Sequence, residues 1–371
     1  MGFLPGFAYM GVLPDVLVAR RHATPRPAVP AGTVGVAGRQ TGIYPRQSPG
    51  GWALIGRTSL RLFDTSWARP SLLAPGDQVR FLPVEREAFP TEPPAIRDDG
   101  AADPAIVIER PGLLSTVQDL GRWGHGADGV GVGGAMDTVS LRRANAAVGN
   151  RPGDAAIEFT VLGPELVVTR DSVMSVAGAD VDVHVDGKPV APDMPWMVCA
   201  GAKVIAGRCQ AGARAYLAFA GGIAVPSVLG SRATHLASGM GGLSGRALRA
   251  GDTLSLGMLT PTRLASSQVS GAAGEDRGVG GGPMTLRVMR GPQDSHFPPE
   301  AFHRLLDTTF LVSAQSNRMG YRLAGQGVPS AAGEMISDAT FPGGVQIPPS
   351  GEPILLMADR QTTGGYPQLA V

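Results

Sequence analysis

Cysteine and lysine are nearly missing from this chain. Cys199 and Cys209 are the only thiols and Lys188 and Lys203 the only lysines, so almost all positive charge is arginine. Two thiols outside a C-x-x-C spacing exclude a disulfide scaffold and a cysteine-rich metal centre, and they suit a reducing cytosol. A bridge between them is not expected. Aromatics make up only 5% of the 371 residues, so the cores must be built from Val, Leu, Ile and Ala. No apolar run approaches the roughly 18 residues that a membrane helix requires. Net charge is +1, which excludes both a basic nucleic-acid footprint and an acidic tail. The start, Met1-Gly2-Phe3-Leu4-Pro5-Gly6, lacks the basic region of a signal peptide and the Ser/Thr of a myristoylation site, so a cytoplasmic location is the default. The six histidines (22, 125, 184, 235, 296, 303) never fall into H-x-H or H-x-x-x-H spacing, and no metal site is expected. P-loop and Ser-His-Asp orders are missing as well.

What the chain does have is glycine, 53 residues of it, set between short Val/Leu runs. That pattern favours β structure with many turns. Val181-Asp182-Val183-His184-Val185 alternates, and Asp186-Gly187 predicts a type I′ turn into Lys188-Pro189-Val190. Further strands are expected at Ile106–Ile108, Leu166–Val168, Val173–Val176, Tyr216–Phe219, Leu286–Met289 and Ile354–Met357. Helices are few. Asp137 can cap one running to about Val148 and ended by Gly149. Pro298-Pro299-Glu300 opens another, with Phe302, Leu305 and Leu306 on its apolar side. The fold class is therefore mainly β with a few helices.

Two stretches read as linkers, 86–104 with its prolines and 261–283 with its glycines. They divide the chain into 1–85, 105–260 and 284–371. The first two pieces echo each other: Leu73 to Phe81 and Leu248 to Leu256 each put a Gly-Asp turn before a strand of alternating apolar residues.

The densest chemistry lies in 111–158. Gly129, Gly131 and Gly134 satisfy G-x-G-x-x-G, but no strand-turn-helix surrounds them, so a turn or substrate loop is expected there and not a dinucleotide site. Gln118, Asp119 and Arg122 form a polar turn. Either Asp119 and Arg122 hold that turn as an ion pair, or Arg122 grips an oxyanion in a fork while Asp119 handles a proton. Asn145 and Asn150 sit at the expected helix end. Glu158, between Ile157 and Phe159, is either exposed or buried with a partner. Later, Ser316 to Leu323 carries Arg318 and Arg322, and a polar run with Asp359, Arg360, Gln361 and Tyr366 follows an apolar strand. Gln40 and Tyr44 stand out in the first piece. The catalytic candidates are Asp119, Arg122, Glu158 and Asp359, and the rest are candidates for binding substrate.

Together these segments resemble the family of the B and C subunits of 5-oxoprolinase, also described as allophanate hydrolase subunits 1 and 2 or biotin-dependent carboxyltransferase-like proteins. The bacterial kinase-inhibitor (Kip) pair belongs there too. Residues 1–85 resemble the C-terminal part of the B subunit through Phe3-Leu4-Pro5-Gly6-Phe7, Ala23-Thr24-Pro25-Arg26, Gln40-Thr41-Gly42-Ile43-Tyr44, Pro49-Gly50-Gly51-Trp52 and Gly56-Arg57-Thr58. Residues 105–371 resemble the C subunit through the 111–158 run, Ala220-Gly221-Gly222, Gly230-Ser231-Arg232, Ser316 to Leu323 and Asp359 to Tyr366.

The resemblance implies tandem cyclophilin-like β-barrel domains. It implies ATP, with Mg, driving the opening of 5-oxoproline to glutamate in complex with a separate A subunit. One alternative is a carboxyltransferase acting on urea or another amide. Its biotin would ride on a different chain, because neither lysine here follows a methionine. Another is a Kip-type inhibitor of a sensor histidine kinase. The chain starts inside the B-subunit motif and stops just after Gly-Gly-Tyr-Pro, where further strands are expected, so it reads as a fragment or a gene model with wrong ends.

Overall fold

The computed structural model describes residues 2–22, 24–84, 103–258, 285–329 and 335–371. Apart from Asp103 and Pro104, the two expected linkers lie outside the described residues. The architecture is mainly β. Among the described residues there are two α-helices, α1 (Thr138–Ala147) and α2 (Ala301–Asp307). None is long and apolar enough to cross a membrane. Both thiols are free.

The chain folds as two compact units. One takes residues 1–94, 123–132 and 287–371, and the other takes 95–122 and 133–286. Roughly the first and last quarters of the sequence therefore share a unit. The second unit has one nine-stranded antiparallel sheet dominated by two long strands, Ser172–Val185 and Lys203–Phe219. They pair from Met174↔Phe219 to Val185↔Val204 through several register shifts. Asp186 and Gly187 have φ of 48° and 78°, the positive pair a type I′ turn demands. Val183 and Val185 are buried, as the alternation requires. They join Ile106, Ile108, Ile157, Phe159, Leu166 and Val204 in the largest core. Each such side chain stabilises the unit by about 1.5–3 kcal/mol.

Helix α1 starts where Asp137 Oδ1 accepts from the amides of Val139 and Ser140, at 3.1 and 3.0 Å. It stops at Gly149, φ 71°, a conformation that glycine adopts without strain. Leu141, Ala144 and Val148 pack on Tyr216 and Ala218 of the long strand.

In the first unit the strands are short. Tyr9–Met10, Gln40–Ile43, Thr33–Ala37 and Ala53–Arg57 form one antiparallel sheet in that order. Phe7, Tyr9, Tyr44 and Trp52 pack beside it with ring centroids 5.0–6.4 Å apart. A five-stranded sheet runs Leu311–Val312, Gly320–Ala324, Ile354–Leu356, Val345–Gln346, Gln368–Ala370, and Asp338–Ala339 pairs with Thr363–Gly364.

Three expectations change. Leu286–Met289 is not a strand. It is tied only at its end, where Met289 and Val371 exchange backbone bonds at 2.9 and 3.0 Å. The Gly76-Asp77 turn forms, but Gln78 to Phe81 finds no partner strand, whereas Thr253–Leu254 pairs with Val107 and Ile106. In α2, Phe302 and Leu305 pack inward but Leu306 is 54% exposed, because Ala301 takes the inner position.

Candidate functional site

The second unit holds six of the sequence candidates, and all are engaged by their own unit. Asp119 is buried. It accepts from Gly121 N (2.7 Å), Ser231 Oγ (2.7 Å) and Arg232 N (2.6 Å). Three charge-assisted bonds of this kind fix the turn and the 231–232 segment together. Arg122, 1% exposed, donates through Nη2 to Ala233 O and through Nε to Val228 O at 3.5 Å. Gln118 donates to Thr116 Oγ1 and Thr234 O, both at 3.0 Å. So Asp119 and Arg122 do not pair with each other. Both bind the segment 228–234.

Glu158 is buried with a partner. Tyr216 Oη donates to its Oε2 at 2.7 Å and Met136 N does so at 2.8 Å, while Arg214 Nε lies 3.9 Å from Oε1. Burial and then the Glu158 charge hold the Tyr216 hydroxyl well above its usual pKa, so it stays a donor. The same hydroxyl accepts from Asp137 N at 2.8 Å, which ties the start of α1 to the sheet. At the other end of α1, Asn145 donates to Asp154 O (2.7 Å). Asn150 donates to Asn145 Oδ1 (3.0 Å) and Phe219 O (2.8 Å) and accepts from Gly221 N (2.8 Å).

The first unit arranges its candidates differently. Arg318 and Asp359, 3% and 2% exposed, form a two-point ion pair, Nε–Oδ2 at 2.9 Å and Nη2–Oδ1 at 3.0 Å. This pair anchors the chain just where the run 360–366 leaves its strand. In that run Arg360 Nε and Thr362 Oγ1 are buried without a hydrogen-bond partner among the described residues. Burial pushes the Arg360 pKa down, as expected for a cation removed from water. The Thr363 hydroxyl is also buried, close enough to Tyr9 to act on its ionisation. Burial raises the pKa of Tyr9 against the opposing pull of Thr363, Ser337 and Arg21. A Cβ on Gly365 would lie 3.2 Å from Arg21 Nη1 and 3.8 Å from Ser337 Oγ, so this glycine leaves the room that the guanidinium uses. Tyr44, 1% exposed, closes the aromatic floor, and its pKa too is raised by burial.

The remaining candidates spread out. Gln361 lends its carbonyl to Thr340 Oγ1 and Tyr366 its carbonyl to Gln346 Nε2, while the Tyr366 ring is 41% exposed. Arg322 is exposed, and Gln40 is half-buried at the hairpin with Ala37. Sequence reading missed Tyr9, Arg21, Ser337, Thr362 and Thr363. The threonines sit inside a run whose polar density marks it, but nothing local marks Ser337 or Arg21. The G-x-G-x-x-G glycines serve turns. Gly129, φ 75°, lies against Leu4 O, and Gly134, φ 83°, against the Asp119–Gly121 backbone.

Two family descriptions match the chain: "Carboxyltransferase domain, subdomain C and D" over residues 1–73, and "Carboxyltransferase domain, subdomain A and B" over residues 128–371. The 5-oxoprolinase C subunit of Escherichia coli (strain K12) is 38% identical over 266 residues, 71% of this chain and 83% of that protein. The 5-oxoprolinase B subunit of Escherichia coli O157:H7 is 59% identical over 83 residues, 22% of this chain and 38% of that protein. Among solved structures, TTHA0988 superimposes with a TM-score of 0.84 at 37% identity, covering 100% of this chain and 73% of its own.

Proposed function

The chain belongs to the carboxyltransferase-domain family, a C and D segment followed by an A and B segment, and from that premise we propose that it is a component of an ATP-dependent 5-oxoprolinase. The reaction opens the lactam of 5-oxoproline to glutamate together with a separate A subunit. One observation carries the reading. The two matched segments meet inside a single compact unit, where Tyr9 and Arg21 from the first gather with Ser337 and Thr363 from the second, and Thr363 belongs to the same run as Arg360 and Thr362.

That cluster has what a small cyclic amide with a carboxylate needs. An aromatic floor takes the ring, hydroxyls bond the amide, and Arg21 and Arg360 meet negative charge on the carboxylate or on the carbonyl oxygen as it develops. A buried group without a partner costs roughly 1–3 kcal/mol, which a bound substrate returns by satisfying it. Tyr9 keeps its proton at neutral pH and serves as a donor. Asp359 acts here as a positioning residue that holds Arg318 and the start of the run. Asp119, Arg122 and Glu158 position the second unit's loops.

ATP would supply the phosphoryl group that activates the lactam oxygen. The described residues do not fit its triphosphate. The N-terminus of α1, the usual anion cradle, is filled by the Asp137 carboxylate, and α2 has only seven residues. We therefore place ATP and its Mg on the A subunit and derive no step through them here.

Co-expression with an A subunit tests the reading. Glutamate should form from 5-oxoproline only with ATP, and Arg360→Gln should cut that rate at least tenfold. No ATP-dependent glutamate from the wild-type complex would overturn it. The family description favours a second reading, carboxyl transfer, for which urea or a similar amide would be the acceptor. Biotin would then arrive on another protein: Lys203 holds Glu109 and Glu165 at 2.8 and 3.1 Å, and neither lysine follows a methionine. Turnover that requires a biotinylated carrier and urea would select it.

A further inference from the structure

A cavity of about 250 Å³ lies in the second unit, lined by none of the residues proposed to bind substrate at the 360–363 cluster. Arg151, Arg232, Asn150, Asp154 and the backbone of Gly221 and Gly222 line it. Both arginines are exposed. The Arg151 side chain and the terminal nitrogens of Arg232 have no hydrogen-bond or ion-pair partner among the described residues. The single carboxylate in the wall, Asp154, accepts the Arg151 backbone amide at 2.7 Å.

Arg232 is also held more firmly than a surface arginine needs to be. Its backbone amide donates to Asp119 at 2.6 Å and its Nε to Val225 O at 2.9 Å. A buried carboxylate thus fixes the loop, and the Nε bond fixes the plane of the fork. The two terminal nitrogens are left as a pre-set pair of donors, and an arginine oriented in this way matches an oxyanion at two points. Gly221 and Gly222, φ 91° and 70°, bring backbone close on the facing side. A Cβ on Gly222 would lie 3.0 Å from Asp154 Cβ, so only glycine lets the wall close this far.

We infer that this cavity is a binding site for a small oxyanion, a carboxylate or a phosphate, gripped by Arg232 and Arg151. The inference rests on the proposed function only for its choice of carboxylate probe, since binding is read without turnover. The experiment is calorimetric titration of the full chain with inorganic phosphate and, separately, with 5-oxoproline, in about 150 mM chloride to screen weak surface attraction. At least one probe should bind saturably, and both Arg232→Lys and Arg151→Gln should weaken that binding tenfold or more. Arg151 makes no side-chain contact, so its variant keeps the test valid if the Arg232 variant misfolds. Phosphate binding that depends on these arginines points to a phosphate product, and dependent 5-oxoproline binding points to the substrate carboxylate. Binding of neither probe, or binding that survives both substitutions, overturns the inference. Glutamate formation by the wild-type complex is scored separately, so loss of this site and loss of the proposed function are told apart.

Discussion

The two units hold their candidate acids and arginines differently. In the second, strands of 14 and 17 residues carry a broad aliphatic core. The acids near that core put their oxygens on backbone amides and hydroxyls of their own unit. In the first unit no strand among the described residues exceeds five residues, and the cores are small clusters. There Arg360 and Thr362 keep buried polar atoms unsatisfied within three residues of one another. Residue type alone does not separate a brace from a site, because both need carboxylates, amides and arginines among glycines. The difference lies in particular residues: Asp119 and Glu158 are each bonded at several points, whereas Arg360 Nε and Thr362 Oγ1 have no partner among the described residues, a state that Gln118 Oε1, Thr160 Oγ1 and Ser175 Oγ of the second unit share.

Substitutions can break this contrast or sharpen it. The largest effect is expected from Asp359→Asn. It leaves Arg318 buried beside a neutral amide and should cost about 3–5 kcal/mol of the first unit's stability, read by denaturant unfolding. Asp119→Ala comes next. Gly121 N, Arg232 N and the Ser231 hydroxyl lose a charged acceptor, for roughly 2–3 kcal/mol by the same measurement. Asp137→Ala removes the α1 cap and should cost about 1 kcal/mol. Tyr216→Phe should cost about 1 kcal/mol at neutral pH. It should also change the alkaline limb. The folded pKa of Tyr216 lies well above the ordinary value of 10.0, so its contribution is complete below pH 10 and is lost as pH rises toward the folded value. Unfolding curves above pH 10 should therefore fall less steeply in the phenylalanine variant. Thr362→Val should do least to stability, within about 0.5 kcal/mol of wild type or slightly stabilising, since it deletes a buried hydroxyl that has no protein partner among the described residues.

Much of the fold is legible in the sequence. The alternating strand ending in Asp186-Gly187, the Asp137 cap and the Gly149 stop all follow from local chemistry, and local chemistry acts in any tertiary setting. Leu286–Met289 and Gln78–Phe81 mislead because a strand also needs a partner edge, which no local pattern reveals. The site is half legible. The run 359–366 announces itself by its density of polar types after an apolar strand. Tyr9 and Ser337 come to it from far along the chain, and no periodicity links positions so distant. Glu158 stands out between two apolar residues, and its burial against Tyr216 is the reason.

The central claim is that Asp119 and Glu158 hold the shape of the second unit while the polar groups at 360–363 wait for substrate. Its most direct test is 5-oxoproline binding by calorimetry, beside thermal unfolding, for Asp119→Asn and Thr362→Val in parallel. Asp119→Asn should lower the melting temperature by several degrees, whereas Thr362→Val should keep it and weaken binding at least fivefold. A Thr362→Val protein that binds as wild type, with Asp119→Asn melting as wild type, would contradict the claim.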